Sequence, residues 1–176
     1  MRVIDDPLEM RRWSLDRRRH ASSIAVVPTM GALHDGHLAL IVEARRRAET
    51  VIVTIFVNPR QFDRVDDFEK YPRPVDDDVA ACRDAGVTAV YTPKPAAMYP
   101  AAFETTVTAG SLALPFEGAM RPGHFDGVVT VVTKLLAATA SDVAVFGEKD
   151  FQQLAIIRRM VRDLDFGIEI QGVPIV

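Results

Sequence analysis

Two histidines with a glycine between them are the residues of this chain best suited to chemistry. The run His34-Asp35-Gly36-His37 follows an apolar stretch typical of a buried strand and precedes the apolar periodicity of a helix. The first turn of a helix carries unpaired backbone N–H groups and the positive end of its dipole, which attract phosphate. Imidazole rings can donate hydrogen bonds to phosphate oxygens, and a glycine lets a bulky anion approach the main chain. The spacing therefore predicts a phosphate site at the start of this helix.

Residue types alone allow other interpretations of these side chains. A zinc site is disfavoured, because His20, His124 and Cys82 are the remaining imidazole or thiol groups and match no recognisable zinc spacing. Asp35 suits a helix cap as well as it suits a contact to a ligand.

Two further polar clusters stand directly after apolar runs. The cluster NPRQF (58–62) follows a near-continuous β-branched run over 51–57, and GEKDFQQ (147–153) follows an apolar run over 142–146. In a parallel sheet the carboxyl ends of the strands lie at one edge, and ligands bind in the crevice beyond that edge. The histidine run and these two clusters are therefore expected to meet at one site.

Alternating strands and helices must position these clusters. The patterns predict helices over 6–19, 37–48, 76–85, 125–139 and 149–163, and strands over 24–27, 51–57, 88–91, 142–146 and 168–173, with 103–109 as a further candidate strand. The polar loop over 58–74 is long enough to be a binding loop or a lid. This order predicts an α/β fold, a Rossmann-like, doubly wound, mainly parallel sheet with helices on both faces.

Composition restricts the class of protein. The 176 residues suit one domain, and the net charge of -3 gives no general attraction to nucleic acid or to an anionic membrane. Apolar runs are shorter than the roughly 18 residues that a membrane span needs. Cys82 is the only cysteine, which is typical of a protein in the reducing cytoplasm.

The H-x-G-H pattern resembles that of the nucleotidyltransferase superfamily, whose members transfer a nucleotide from ATP or CTP to an acceptor. The whole set of motifs is similar to the pantothenate synthetase (pantoate–β-alanine ligase) family, and the likeness extends from about residue 20 to the end of the chain. Five segments occur in the family's order: PTMGALHDGH (28–37), IFVNPRQF (55–62), YPRPVDDD (71–78), RPGHFDGVVTVVTKL (121–135) and FGEKDFQQLAIIRRMV (146–161).

The resemblance implies an activity. The family condenses pantoate with β-alanine, uses ATP as a substrate and needs Mg²⁺. The pantoate carboxylate attacks the α-phosphorus of ATP, pyrophosphate leaves, and the β-alanine amine then attacks the pantoyl adenylate and releases AMP. Such displacements depend on positioning and on neutralising phosphate charge.

The resemblance also implies roles for single residues. His37, His34 and Lys149 match catalytic positions, and Gln61 and Gln153 match the residues that hold pantoate, with Gln61 also contacting β-alanine. Asp150 matches a position that either binds ribose or joins the Mg²⁺ shell. The ATP-binding positions are Met30, Gly31, Ala32, Leu33, His34, Asp35, Gly36, His37, Gly147, Glu148, Lys149, Asp150 and Val176.

Residues 1–176 match a single N-terminal domain of that family, and the family's serine-serine-arginine segment and small C-terminal domain are not among them. We therefore expect this chain to bind its ligands but to turn over poorly, and we expect a homodimer. Two alternatives stay open. One is a nucleotidyltransferase with another acceptor, and the other is a non-catalytic fragment that binds nucleotide or dimerises.

Overall fold

The β-branched runs form one parallel sheet. The computed structural model describes residues 1–20, 22–62 and 65–174. In these ranges the sheet has six strands, all parallel, in the spatial order β1-β4-β3-β2-β5-β6. The strands are β1 (Arg2–Ile4), β2 (Ile24–Thr29), β3 (Thr50–Ile55), β4 (Ala89–Tyr91), β5 (Val143–Gly147) and β6 (Glu169–Val173).

Helices connect the strands and cover both faces of the sheet. They are α1 (Pro7–Arg19), α2 (Asp35–Arg47), α3 (Val65–Lys70), α4 (Val75–Asp84), α5 (Pro95–Met98), α6 (Glu117–Met120), α7 (His124–Thr139) and α8 (Phe151–Asp163). Short 3₁₀ turns lie at Pro59–Gln61, Ser111–Ala113 and Glu148–Asp150. The core on one face includes side chains of α1, α7 and α8, and the core on the other includes side chains of α2 and α4. Within the described ranges, every helix is too short or too polar to cross a bilayer.

Residues of β2 alternate between the two cores. Ile24 and Val26 join the core under α7 and α8, while Ala25 and Val27 join the core under α2 and α4. Successive side chains of a strand point to opposite faces, so a strand buried on both faces is apolar throughout. This is why β2 and β3 appear in the sequence as continuous apolar runs.

The predicted α/β fold with a doubly wound parallel sheet is confirmed. The helix and strand boundaries agree to within about two residues for most elements, and Gly86 ends α4 with a φ of +75°. The three-residue strand β1 was not predicted, because so short a run carries no usable periodicity. The loop over 58–74 also holds a 3₁₀ turn and α3, which its polar composition concealed.

The expectation of a strand over 103–109 is wrong. The segment lies along α7 in an irregular conformation. Its backbone groups bond to side chains of that helix: Val107 N–H donates to Thr130 Oγ1 at 3.0 Å, and Ala109 N–H donates to Asp126 Oδ1 at 2.8 Å. The alternation of polar and apolar residues does reflect burial on one side, but the apolar side chains of this segment pack on a helix layer rather than in the sheet.

The sheet order creates a crevice between β2 and β5. These strands are neighbours, with Ala25 opposite Val143, yet the helices that follow them cover opposite faces. At such a switch point the two connections diverge and leave an opening at the carboxyl edge. The histidine run after β2 and the GEKDFQQ cluster after β5 flank this opening.

Candidate active site

A tight turn carries the chain from β2 to α2. Gly31 and Ala32 have φ angles of +85° and +52°, in the left-handed region that only glycine adopts at low cost. Gly31 N–H donates to Thr29 Oγ1 at 3.1 Å. Ala32 N–H and Leu33 N–H donate to the two carboxylate oxygens of Asp78, at 2.9 and 2.7 Å. The turn is therefore held by side chains beneath it.

The two histidines cap the helix that follows. Gly36 N–H donates to His34 Nδ1 at 3.1 Å, and His34 N–H donates to His37 Nδ1 at 3.4 Å. The ring centroids lie 4.2 Å apart. This is a reciprocal capping arrangement in which each ring accepts a backbone N–H at the helix N-terminus.

The capping bonds determine which imidazole nitrogens can meet a ligand. An Nδ1 that accepts a hydrogen bond carries no proton, so the neutral ring carries its proton on Nε2. Both histidines then present Nε2–H outward. The backbone N–H groups from Gly31 to His34, and that of Gly36, have partners inside the loop. The Asp35 N–H at the first position of α2 remains, so the donors for an anion here are this one backbone N–H and the imidazole Nε2–H groups, fewer loop N–H groups than the sequence suggested.

Burial favours the neutral form of His37. Burial lowers the pKa of His37 below the ordinary imidazole value, and the adjacent His34 ring lowers it further. Asp78 and Asp150 act in the opposite direction, and Lys149 again lowers this pKa. At neutral pH the His37 ring is thus a neutral hydrogen-bond donor.

Gln61 reaches the site from the 3₁₀ turn after β3, and Asn58 orients its amide. Asn58 is fully buried. Its Oδ1 accepts the N–H of Arg60 at 3.3 Å and its Nδ2 donates to the carbonyl oxygen of Gly127 at 3.1 Å. A main-chain N–H can only donate and a carbonyl oxygen can only accept, so these two contacts identify which amide atom of Asn58 is Nδ2. Asn58 Nδ2 is therefore also the donor to Gln61 Oε1 at 2.9 Å. Gln61 therefore keeps its Nε2 donor for a ligand.

The backbone of Gln61 is fixed as well. Its carbonyl oxygen accepts a hydrogen bond from Arg121 Nη2 at 2.8 Å and lies 2.9 Å from Nδ1 of the buried His124. Arg121 also forms an ion pair with Glu117 at 2.9 Å. Arg121 and His124 thus support the turn that carries Gln61.

The opposite wall of the crevice follows β5. Lys149 and Asp150 lie in the 3₁₀ turn with exposed side chains, and the half-buried Gln153 lies in the first turn of α8. The neighbouring Gln152 points elsewhere and accepts the N–H of Glu117 at 3.1 Å. The two adjacent glutamines therefore have different surroundings: Gln153 lines the crevice, and Gln152 is hydrogen-bonded to the segment that precedes α7.

The crevice has two connected compartments. The inner chamber, of about 180 Å³, has an apolar wall from α7 and polar groups at its mouth. The outer cleft, of about 580 Å³, is lined by more ionisable side chains, namely His34, Asp35, His37, Lys149 and Asp150. Both are lined by Pro28, His37, Tyr71, Phe146, Asp150 and Gln153. A ligand with a small apolar part and a larger anionic part would span the two.

Most of the candidate site residues lie together here. Met30, His37, Gln61, Asp150 and Gln153 line the inner chamber. The outer cleft is lined by His34, Asp35, Gly36, His37, Gly147, Lys149, Asp150 and Gln153.

The other candidate residues have different places. Gly31, Ala32 and Leu33 form the turn above Asp78, and the carboxylate of Glu148 lies beside Gly172 of β6. Val176 lies outside the described residues.

Three contributors were not predicted from sequence. Tyr71 lines both compartments; it opens the YPRPVDDD segment, but no role at the site was assigned to it. Asn58 belongs to the NPRQF cluster, and its spacing of three residues from Gln61 is the signal in the sequence for their contact. Asp78 was assigned to the N-terminal end of a helix, and the chain gives no sign of its contact with Leu33.

Metal ligands are sparse at this site. Within residues 1–20, 22–62 and 65–174, no three His, Cys, Asp or Glu side chains converge on one point. Asp150 is the carboxylate that lines both compartments.

Comparisons with known proteins identify the family of this chain. A family model described as pantoate-beta-alanine ligase matches residues 2–176. The pantothenate synthetase of Chlorobium phaeobacteroides (strain BS1) is 53% identical over 176 residues, which is 100% of this chain and 61% of that protein. The chain thus spans about three fifths of the length of the curated relatives that it matches.

Solved structures give the same picture. Pantothenate synthetase from Thermus thermophilus superposes with a TM-score of 0.92 at 45% identity, over 100% of this chain and 62% of that one. Pantoate-beta-alanine ligase from Francisella tularensis, solved in complex with beta-gamma ATP and β-alanine, has a TM-score of 0.91 at 35% identity, over 99% of this chain and 67% of that one.

Proposed function

Because this chain belongs to the pantoate–β-alanine ligase family, we propose that it takes part in the ATP-dependent condensation of pantoate with β-alanine. The observation that supports this most strongly is the crevice itself, whose inner chamber has an apolar wall from α7 and whose outer cleft is lined by His34, His37 and Lys149. Pantoate is a small hydroxy acid with two methyl groups, and ATP is a large anion. The two compartments match these two chemistries.

The inner chamber is the proposed pantoate site. Its α7 wall offers Val128, Val131, Val132 and Leu135 to the methyl groups. Gln61 offers its Nε2 donor, because its Oε1 is engaged by Asn58. Gln153 adds an amide that can both donate and accept. These two glutamines would orient the carboxylate toward the outer cleft.

The outer cleft is the proposed nucleotide site. The Nε2–H groups of His34 and His37 and the ammonium of Lys149 would meet the phosphates. In the first step a carboxylate oxygen of pantoate forms a bond to the α-phosphorus, the bond from that phosphorus to the bridging oxygen breaks, and pyrophosphate leaves. Donors aimed at oxygens that gain charge lower the barrier to such a displacement.

The second step joins β-alanine. Its amine would attack the acyl carbon of the pantoyl adenylate, the acyl–oxygen bond would break, AMP would leave with the electron pair, and the nitrogen would lose a proton. The Francisella tularensis relative was solved with β-alanine and beta-gamma ATP bound, which supports the same pair of ligands here. Tyr71 and the loop around it would limit the access of water to the mixed anhydride.

Mg²⁺ is proposed as a companion of ATP. Mg²⁺ is commonly bound through one or two carboxylates together with substrate phosphates, and Asp150 at the edge of both compartments fits that need. When bound, the ion would neutralise phosphate charge. Asp150 also suits a contact to the ribose hydroxyls.

The direct test is a single-turnover reaction with the chain in excess over ATP, so that slow turnover does not hide the chemistry. Mass spectrometry should find pantoyl adenylate when pantoate is present, and pantothenate with AMP after β-alanine is added. His37→Gln should slow adenylate formation, while His20→Gln, at the exposed end of α1, should not. Equal adenylation of unrelated acids would support a different acceptor, and binding without adenylation would support a non-catalytic module.

Three broader properties are also proposed. A polypeptide of residues 1–176 alone is expected to act as one nucleotide- and pantoate-binding domain with slow turnover. We propose a homodimer, supported by the exposed apolar side chains Leu114, Phe116 and Met120, which light scattering would test. We propose a cytoplasmic location, where ATP is available and a thiol such as that of Cys82 stays reduced.

A further inference from the structure

A buried acid lies beneath the proposed nucleotide site. Asp78 lies near the start of α4. The crevice is bordered by β2 and β5, whereas α4 lies between β3 and β4 in the chain. Its side chain is 3% exposed, whereas Asp76 and Asp77 are exposed. Burying a carboxylate is costly unless hydrogen bonds compensate for the lost water. Hydrogen bonds must therefore compensate for the burial of Asp78, whereas Asp76 and Asp77 remain in contact with water.

The carboxylate holds the turn between β2 and α2. One oxygen accepts the N–H of Ala32 at 2.9 Å and the other accepts the N–H of Leu33 at 2.7 Å. Ala32 has a φ of +52°, which is unfavourable for a residue with a Cβ. A Cβ at Gly31 would lie 2.8 Å from the nearer carboxylate oxygen. Two charge-assisted hydrogen bonds thus stabilise an otherwise strained turn.

The conformation of this turn determines where the imidazole rings of His34 and His37 lie. Leu33 directly precedes His34, which has extended φ and ψ angles of −140° and 178° as the N-cap of α2. His34 N–H donates to His37 Nδ1, so a rotation of the Leu33 peptide would break the bond that fixes the second ring. The Nε2–H groups of both histidines therefore depend on the peptide planes that Asp78 holds.

We propose that Asp78 is a positioning residue of the phosphate site, whose carboxylate locks the Gly31–Leu33 turn so that both histidines present Nε2–H to a bound triphosphate. The identity of this ligand rests on the proposed function, but the locking of the turn does not. Asp78 is not a catalytic residue, because the turn separates it from the cleft.

The charge of Asp78 also reaches the site. His37 is faced by His34 from the start of α2, by Lys149 and Asp150 from the turn after β5, and by Asp78 from α4. Tyr71 lines both compartments. Its pKa is raised mainly by burial and additionally by the negative charge of Asp78. Removing this charge would thus alter the electrostatics of the crevice as well as its geometry.

The test compares Asp78→Asn with the matched control Asp77→Asn. The imidazole ¹⁵N–¹H NMR spectrum reports the tautomer of each ring, and calorimetric titration with α,β-methylene-ATP reports phosphate binding. The parent and the control should show both rings in the Nε2–H form. In Asp78→Asn the rings should populate mixed tautomers, and the affinity should fall about tenfold or more, since one N–H would face an amide donor.

Each outcome has a defined meaning. A normal tautomer signal, or an affinity within twofold of the parent, in folded Asp78→Asn would overturn the proposal. If the parent itself binds no ATP analogue, the proposed function fails while the NMR comparison still decides the role of Asp78. If Asp78→Asn does not fold, Asp78→Ser replaces it. Rapid hydrogen exchange of the Ala32 and Leu33 amides in the parent would overturn the proposal without any variant.

Discussion

Changing Asn58 to Asp should reverse the orientation of the Gln61 amide, which lines the inner chamber. In the parent, Asn58 Nδ2 donates to Gln61 Oε1 at 2.9 Å and to the Gly127 carbonyl oxygen at 3.1 Å. A carboxylate has no such donor, so the Gln61 amide must turn its Nε2 toward the new acid. Its oxygen would then face the chamber, where the carboxylate of the ligand is proposed to bind.

The magnitude follows from these contacts. Asn58→Asp loses the hydrogen bond to the Gly127 carbonyl oxygen, worth about 1 kcal/mol, and places a carboxylate at a fully buried position, which costs roughly 2 kcal/mol more. We therefore expect the free energy of unfolding to fall by about 3 kcal/mol. For the ligand, a hydrogen bond to a charged group worth about 1.5–3 kcal/mol is lost, which corresponds to roughly 10- to 150-fold weaker pantoate binding.

Tyr99→Phe is the matched control for this change. It removes the hydroxyl that donates to Asn58 Oδ1 at 2.9 Å but leaves both Nδ2 donors in place. It should cost about 1 kcal/mol of stability and change pantoate affinity by less than about threefold. Urea unfolding and calorimetric titration of pantoate with an ATP analogue present measure both effects. The account of Gln61 fails if folded Asn58→Asp binds pantoate as tightly as the parent, or if Tyr99→Phe weakens binding equally.

Two further changes test the site and its support. Burial and the neighbouring His34 lower the pKa of His37, so its contribution to stability should be complete above about pH 6.5, the value in the unfolded chain, and should be lost as the pH falls through the folded-state pKa. Urea unfolding of the parent and of His37→Gln across this pH range measures the effect. The prediction fails if the parent gains stability relative to the variant as the pH falls. Gly127→Ala would place a methyl carbon 2.2 Å from the carbonyl oxygen of Arg60 and should cost about 2 kcal/mol of stability. Gly110→Ala, with nothing within 4 Å of the added carbon, should cost less than about 0.5 kcal/mol, and equal costs in urea unfolding would refute the close packing.

The fold was largely predictable because its signals are local. The runs that became β2, β3 and β5 are continuous in the sequence, and the polar clusters after them mark the carboxyl edge directly. The strand expected over 103–109 failed because alternation shows that one side is buried but not what covers it. In this chain that cover is α7, through Thr130 and Asp126.

The inner support of the site could not be predicted, because it depends on contacts between distant parts of the chain. The contact of Asp78 with Leu33 joins residues 45 positions apart. The hydrogen bonds inside the turn also changed the chemistry that the sequence suggested. A helix N-terminus with several free N–H groups was expected, whereas the loop uses most of those groups itself and leaves the Asp35 N–H and the imidazole Nε2–H groups as donors.

The most direct test of the central claim is a calorimetric titration of this chain with a non-hydrolysable pantoyl-adenylate analogue, beside Gln153→Ala. Such a molecule would fill both compartments at once, and Gln153 lines both. We expect the parent to bind one equivalent and the variant to lose most of that affinity while keeping its fold. No binding by a folded parent, or equal binding by the variant, would contradict the assignment of the crevice to pantoate and ATP.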